Sequence, residues 1–340
     1  METAANVKRN LLVELAFNWL NQLEYSDSSL NKQMTPFSKR MTNRRIEDNN
    51  VWLEYPNASA AGVDVSKKFN FEVLSDEESV GRAMYTELVE YAEQTTRDIV
   101  IILLGGRGAQ AMYRQISELA KGSTIDALLG RLHVFTQDAL APMRMNNSLS
   151  FVRDFERLLG DEFFKKIKSF TPMLTETDNV ESALIEYLDK LHSLGGIDLF
   201  YLGFGPEANA ASHLCYIKPG SGALFDDFAG IIPISESILE HHINKFKVGG
   251  SNVSEADEAE CRRATHILTL GPAAILSAKK IVQSIVDAST APAKRESFAR
   301  MTATEFAEEK EEIAKQLDEN PGLWIRLHSN VKSFVLPDLL

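Results

Sequence analysis

The sequence predicts an α/β protein with a doubly wound, mostly parallel, Rossmann-like sheet that is covered by helices on both faces. An uninterrupted apolar run, typical of a strand buried on both faces, begins at residue 99, and mostly apolar runs begin near residues 132 and 197. Each run leads through glycine or polar residues into a segment with apolar residues at helical spacing. Alternating strands and helices favour a parallel sheet, because parallel neighbours need a crossover connection.

The first 68 residues are predicted to lie outside this sheet. Apolar residues recur at helical spacing over residues 7–23, which predicts an amphipathic N-terminal helix. Residues 24–68 are rich in Asn and Ser and show no sustained period, which is typical of a linker or an irregular extension. We therefore divide the chain into an N-terminal extension, residues 1–68, and an α/β domain, residues 69–340.

The α/β pattern begins at Ser75, which forms a capping box with Glu78 ahead of a predicted helix. Strand, loop and helix then follow three times along the chain. The strands are predicted at residues 99–104, 132–136 and 197–202, and the second is followed by a helix over about residues 147–159. Further strands are predicted at residues 267–270, 281–286 and 331–336, with a helix opening at Thr302.

Composition excludes several classes of partner. The 340 residues carry a net charge of −12, whereas nucleic-acid binding depends on basic patches, so we expect no nucleic-acid partner. Cys215 and Cys261 are the two cysteines, too few for a disulfide framework, which predicts a reducing, cytoplasmic location. No apolar run is long enough to span a bilayer, and we expect neither a membrane partner nor a secretion signal.

Three predicted strands end in glycine-containing or polar segments, at residues 105–108, 137–147 and 203–213. Ligands of such sheets bind beyond the carboxyl ends of the strands, so these segments should converge. Glycines at a strand-to-helix turn let backbone N–H groups approach an anion, and the helix dipole adds to the attraction. The first segment therefore predicts a phosphate site, although a simple tight turn is the alternative.

At these positions residues 71–337 resemble the superfamily of 6-phosphogluconolactonases and glucosamine-6-phosphate isomerases (deaminases). The glycine segment stands where the family has its Ser-Gly-Gly-Ser-Thr phosphate loop, and it comprises Leu104, Gly105, Gly106, Arg107 and Gly108. Residues 133–138 resemble the strand that ends in the family's Asp-Glu pair, and residues 203–209 resemble its Gly-x-Gly-Pro-Asp-Gly-His signature. The segments 269–270 and 327–331 resemble the last two family motifs.

Departures from the family pattern fall on the residues that carry chemistry. Glu207 replaces the family Asp, and Asn209 replaces the His, which leaves a neutral amide where a base is expected. Ala139 replaces the acidic partner of Asp138, and Thr290 stands near the position of a phosphate-binding Lys.

Two other residues are candidates to compensate for these losses. Arg107 would add a cation that binds phosphate in bidentate fashion, with an exposed loop charge as the alternative. His213 lies four residues beyond Asn209, so on a continuous helix both would share a face and His213 would supply a base. A histidine that merely caps the core or lies on the helix surface is the alternative.

The resemblance implies hydrolysis of a phosphosugar lactone such as 6-phosphogluconolactone. Its catalytic candidates are Glu207, Asp138 and His213. The phosphate and substrate would contact Gly105, Gly106, Arg107, Gly108, Gly205, Asn209 and Thr290.

Two alternatives stay open. One is isomerisation with deamination of glucosamine 6-phosphate, in which Asp138 and Glu207 would shuttle protons. The other is a sugar-phosphate-binding or regulatory protein without turnover. We expect a phosphorylated sugar or sugar lactone as partner, no metal and no cofactor. The sequence leaves open whether the chain forms a homo-oligomer.

Overall fold

The computed structural model describes residues 43–47, 49–54, 69–206 and 212–340. A seven-stranded sheet forms the centre of this part of the chain, and all its neighbouring strands run parallel. In spatial order the strands are Glu72–Val73 (β3), Val331–Val335 (β14), Lys280–Ile285 (β13), Leu199–Leu202 (β8), Ile99–Leu103 (β4), Leu132–Thr136 (β5) and Ser169–Thr171 (β7). The predicted parallel α/β sheet is confirmed.

Both faces of this sheet are buried. Alternate residues of a strand point to opposite faces, and in β4 they enter two different apolar clusters. Val100 and Ile102 belong to one cluster, whereas Ile99, Ile101 and Leu103 belong to the other. An apolar side chain is therefore required at every position of β4, which is why the strand reads as an unbroken apolar run in the sequence.

Helices supply the layers on the two faces. The described helices are Glu77–Glu93 (α1), Gln110–Ala120 (α2), Asp126–Leu129 (α3), Phe151–Lys166 (α4), Val180–Ser193 (α5), Glu236–Val248 (α6), Glu255–Cys261 (α7), Pro272–Ser277 (α8), Ala293–Ala303 (α9) and Lys310–Glu319 (α10). Helices α1, α2, α4 and α6 contribute to one cluster, and α5 contributes to the other. None of the described helices combines the length and apolar composition that crossing a bilayer requires.

A second sheet was not predicted. It has five antiparallel strands, in the spatial order Asn43–Glu47 (β1), Asn50–Glu54 (β2), Asp227–Pro233 (β11), His266–Leu270 (β12) and Asp138–Ala141 (β6). The strand predicted at residues 267–270 is therefore real but antiparallel, and it belongs to this second sheet. An apolar run shows that a strand is buried but does not give its direction.

The irregular extension predicted for residues 24–68 is corrected at residues 43–47 and 50–54, which are the paired strands β1 and β2 of a hairpin. Trp52 of β2 is fully buried. Its ring covers Gly230 of β11, where an added Cβ would lie 2.7 Å from the ring, and its Nε1 donates a hydrogen bond to the Ser221 carbonyl at 3.0 Å. The division at residue 68 stays a prediction, and the helix predicted at residues 7–23 lies outside the described residues.

Two predicted helix starts are corrected. The first helix is capped by Asp76, whose carboxylate accepts a hydrogen bond from the Ser79 amide at 2.7 Å, and not by Ser75. Thr302 does not open a helix, because it lies in the last turn of α9 and its hydroxyl donates to the Phe298 carbonyl.

Candidate active site

The segments that follow β4, β5 and β8 line one cleft, because these strands are neighbours and run in the same direction. The cleft encloses about 530 Å³ including its open mouth, but little of that space is wide enough for a water molecule. The inner part is thus narrow and the mouth is wider. The residues that line the cleft include Gly105, Gln137, Asp138, Phe151, Gly205, His213, Tyr216, His241, Lys245, Asp287 and Lys294.

The glycine loop after β4 presents backbone N–H groups with no partner. Gly105 and Gly106 are buried, and neither amide donates a hydrogen bond to any described residue. Glycine is required at Gly105, because a Cβ there would lie 2.2 Å from the Phe151 ring. Buried N–H groups are nearly always paired, so these two amides are available to an anion.

Lys245 of α6 lies against this loop at Gly106. A Cβ at Gly106 would lie 2.4 Å from the Lys245 Nζ. Among the described residues, no carboxylate pairs with this ammonium group and no acceptor receives a hydrogen bond from it. Nothing in the sequence marked Lys245 as a site residue, because α6 begins more than a hundred residues after the glycine loop.

A second lysine of the cleft is neutralised. Lys294 is buried and forms an ion pair with Asp287, 2.5 Å away. Burial lowers the pKa of Lys294 and Asp287 offsets part of this effect. Burial alone would raise the pKa of Asp287, but the charges of Lys294 and Lys245 outweigh it and lower that pKa to about 2. The pair adds no net charge, so Lys245 carries the free positive charge of the lining.

Asp138 is the cleft residue that titrates near neutral pH. Its side chain is buried at the start of β6 and accepts a hydrogen bond from Gln137 Nε2 at 2.7 Å. Burial raises the pKa of Asp138 to about 7, although the hydrogen bond from Gln137 and the charge of Lys245 act in the opposite direction. A carboxyl with such a pKa can both accept and donate a proton at neutral pH.

His213 is in the cleft, but not on a helix. Residues Ser212–His213 form a short strand (β10) antiparallel to Gly205–Pro206 (β9), so the predicted helix is wrong there. A Cβ at Gly205 would lie 1.9 Å from the His213 ring, which stacks on Tyr216 with centroids 5.1 Å apart. Burial and then the charges of His241, Lys245 and Lys294 hold the pKa of His213 well below its usual value, so the imidazole is neutral.

Several predicted site residues are placed elsewhere. Thr290 is exposed and its hydroxyl donates to the Asp287 carbonyl at 3.1 Å, whereas Lys294 reaches the cleft. Arg107 is half-buried, does not line the cleft and pairs with Glu77 of α1 at 2.5 Å. Glu207 and Asn209 lie outside the described residues.

Ala139 does not face the cleft. It lies on β6 and packs against the apolar cluster formed with the second sheet. The interpretation of Ala139 as the replacement of an acidic partner of Asp138 stays a prediction. The neighbour that acts on Asp138 is Gln137, on its other side.

Two cleft residues that were not predicted, Asp287 and Lys294, could have been found from their position after the carboxyl end of β13. Asp287 and Lys294 follow this strand, in the same way as the glycine loop follows β4. His241 and Lys245, by contrast, lie on the helix α6 and gave no signal. Within the described residues, no group of three or more His, Cys, Asp or Glu side chains is arranged to hold a metal ion.

No protein-family model and no curated protein sequence matches the chain. Solved structures do. A monomeric glucosamine-6-phosphate deaminase superposes with a TM-score of 0.61 at 17% identity, over 80% of this chain and 98% of that one. The 6-phosphogluconolactonase from Trypanosoma brucei gives 0.56 at 15% identity, over 79% and 97% of the two chains. That from Trypanosoma cruzi gives 0.56 at 14% identity, over 80% and 97%. The fold implied by the resemblance is confirmed.

Proposed function

We propose that this chain, which has the fold shared by 6-phosphogluconolactonases and glucosamine-6-phosphate deaminase, binds a phosphorylated sugar and hydrolyses its lactone. The observation that carries the proposal is the position of Lys245. Its ammonium group has no ion-pair partner within the described part of the chain and lies against a loop of buried amides. The same cleft holds a carboxyl with a pKa of about 7.

The phosphate would bind at the glycine loop. The Gly105 and Gly106 amides would donate hydrogen bonds, and Lys245 would supply the charge that the Asp287–Lys294 pair does not. The loop leads into the N-terminus of α2, whose dipole favours an anion. Together these groups match phosphate in charge and in hydrogen bonding. Because the interior is narrow, the sugar would extend towards the mouth.

Lactone hydrolysis needs a base that removes a proton from water while the oxygen attacks the carbonyl carbon. Ionised Asp138 is suited to this, since its pKa near 7 balances basicity against availability at neutral pH. The bond between the carbonyl carbon and the ring oxygen then breaks. The ring oxygen takes the proton back from Asp138 and becomes a hydroxyl group of the product. Glu207, from the segment that resembles the family signature, is proposed as the second acid or base.

The second candidate is isomerisation with deamination of glucosamine 6-phosphate. The pKa of Asp138 favours it too, because a carboxyl that gains and loses its proton near neutral pH can move a proton between C1 and C2 of a sugar. Both reactions would use the same phosphate site, so they differ in the substrate converted and not in the residues that hold it.

The test is turnover of 6-phosphogluconolactone and of glucosamine 6-phosphate by the full chain, measured against the spontaneous rate. We expect lactone turnover that rises with pH about a midpoint near 7, and a loss of about a hundredfold or more in Asp138→Asn. Asp226→Asn is the matched control, because burial also raises the pKa of Asp226 to about 7 and Asp226 is not a cleft residue. Saturable phosphosugar binding without conversion of either substrate would show that the chain is a binding protein and not an enzyme for these substrates.

A further inference from the structure

In the side-chain amide of Gln137, the nitrogen has a hydrogen-bond partner and the oxygen has none among the described residues. The side chain lines the cleft and only 4% of the residue is exposed. Its Nε2 donates to Asp138 Oδ2 at 2.7 Å. Its Oε1 is buried and, among the described residues, receives no hydrogen bond.

While Asp138 is ionised, it fixes the orientation of this amide. An ionised carboxylate only accepts hydrogen bonds, so it selects the NH₂ end of Gln137 and turns the carbonyl oxygen away from itself. A rotated amide would bring two acceptors together. A buried acceptor without a donor is unfavourable. Oε1 has no exposed surface in this structure, so a ligand in the cleft can supply that donor once the Gln137 side chain shifts to expose it.

We propose that Gln137 determines specificity by accepting a hydrogen bond from a hydroxyl of the sugar, on the carbon next to the one on which Asp138 acts. The inference rests on the proposed function. It assigns a residue that recognises the sugar, whereas the glycine loop and Lys245 would recognise only the phosphate. The side chains of Gln137 and Asp138 are joined by a hydrogen bond. A sugar hydroxyl bound by Oε1 would therefore lie close to the carbon on which Asp138 acts. For a lactone opened at C1, that hydroxyl is the one at C2.

An amide that holds a hydroxyl distinguishes sugar phosphates from simple phosphates. A site whose buried acceptor expects a donor binds an analogue without that donor more weakly, because the acceptor stays unpaired. Ligands with the C2 hydroxyl should therefore be preferred about tenfold or more over 2-deoxy analogues. A water molecule on Oε1 that the ligand never displaces would produce no preference.

The experiment measures dissociation constants by calorimetry for glucose 6-phosphate, 2-deoxyglucose 6-phosphate, 3-deoxyglucose 6-phosphate and inorganic phosphate. The wild type should bind the 2-deoxy compound about tenfold more weakly than the other two sugars. Gln137→Met should bind all three sugars alike and should keep the wild-type affinity for inorganic phosphate. Gln115→Met, a change at a glutamine that does not line the cleft, should behave as the wild type.

Gln137→Glu is the second variant, because it keeps an acceptor at this position whether or not the methionine variant folds. It should retain the preference for the C2 hydroxyl. Equal binding of the deoxy sugars by the wild type, or an equal loss of inorganic phosphate and sugar phosphate in Gln137→Met, would overturn the inference and leave lactone turnover untouched. A wild type that binds no phosphosugar would overturn this inference and the proposed function together.

Discussion

The side chain of Lys245 occupies the space that a methyl group on Gly106 would fill. A Cβ added to Gly106 would lie 2.1 Å from Cε and 2.4 Å from Nζ of Lys245. Gly106 also has φ of 82°, a conformation that favours glycine. The absence of a side chain at Gly106 therefore allows the end of the Lys245 side chain to lie against the loop at this residue.

Gly106→Ala should displace Lys245 and weaken phosphate binding by about tenfold or more, because the charge moves away from the amides. Gly195→Ala is the matched control, since Gly195 has φ of 94° but an added Cβ would meet nothing within 4 Å. Both variants should lose stability from backbone strain, about 1–3 kcal/mol each. Equal phosphate affinities in the two variants, measured by calorimetry, would contradict the role given to Lys245.

Lys245→Met should reduce the affinity for a phosphosugar more than Arg107→Ala does. Lys245 has no ion-pair partner among the described residues, whereas Glu77 already holds the Arg107 guanidinium. Lys247→Met provides the control on the same helix, because Lys247 is exposed and pairs with Glu258. A larger loss in Arg107→Ala would show that Arg107 leaves Glu77 to bind phosphate, as the sequence alone suggests.

Asp138→Asn should stabilise the protein at pH 8 and change its stability little at pH 4. Burial raises the pKa of Asp138 from 3.8 to about 7, so the folded state keeps the proton that the unfolded chain loses between these values. The stability contributed by the neutral carboxyl is complete below pH 4 and is lost as the pH rises through 7. The free energy of unfolding falls by up to about 4 kcal/mol over this pH range.

Thermal unfolding of wild type and Asp138→Asn at the two pH values measures this difference. Asp126→Asn, at an exposed aspartate, serves as the control. A stabilisation of Asp138→Asn that is the same at pH 4 and pH 8 would mean that Asp138 does not titrate as described.

Glu207→Gln should lower kcat for the lactone by about two orders of magnitude and change binding much less, if Glu207 is the second acid or base. Should the wild type bind without turnover, Asn209→His combined with Glu207→Asp would return the family pattern. Ala139→Glu is best left out of that variant, because Ala139 packs against the core. Wild-type turnover that survives Glu207→Gln unchanged would remove Glu207 from the mechanism.

Trp52→Ala should lower the free energy of unfolding by about 3–5 kcal/mol, the usual loss for a fully buried aromatic side chain. Chemical denaturation measures it. Exposed Ile46 on the same hairpin provides the control, and Ile46→Ala should cost much less. Similar values for both would show that the β1–β2 hairpin adds little to the fold.

Within the parallel sheet, the sequence was sufficient for β4, β5, β8, β13 and β14, but it did not predict the short strands β3 and β7. β4, β5, β8 and β13 lie between two apolar clusters, so each reads as a short apolar run whatever its neighbours are. The hairpin was missed because β1 is an edge strand with exposed Arg44 and Glu47, and only its pairing with β2 and that of β2 with β11 define it as part of a sheet.

The candidate site divides in the same way. Glycines at the end of β4 and Asp138 after β5 follow from strand order, because parallel neighbours bring their carboxyl ends to one edge. The charges that surround them do not. Lys245 on α6 reaches the glycine loop from more than a hundred residues along the chain, and the pKa of Asp138 depends on burial. Local sequence determines where backbone turns and strands occur, whereas contacts between distant segments and the exclusion of water decide which charges meet and how strongly they titrate.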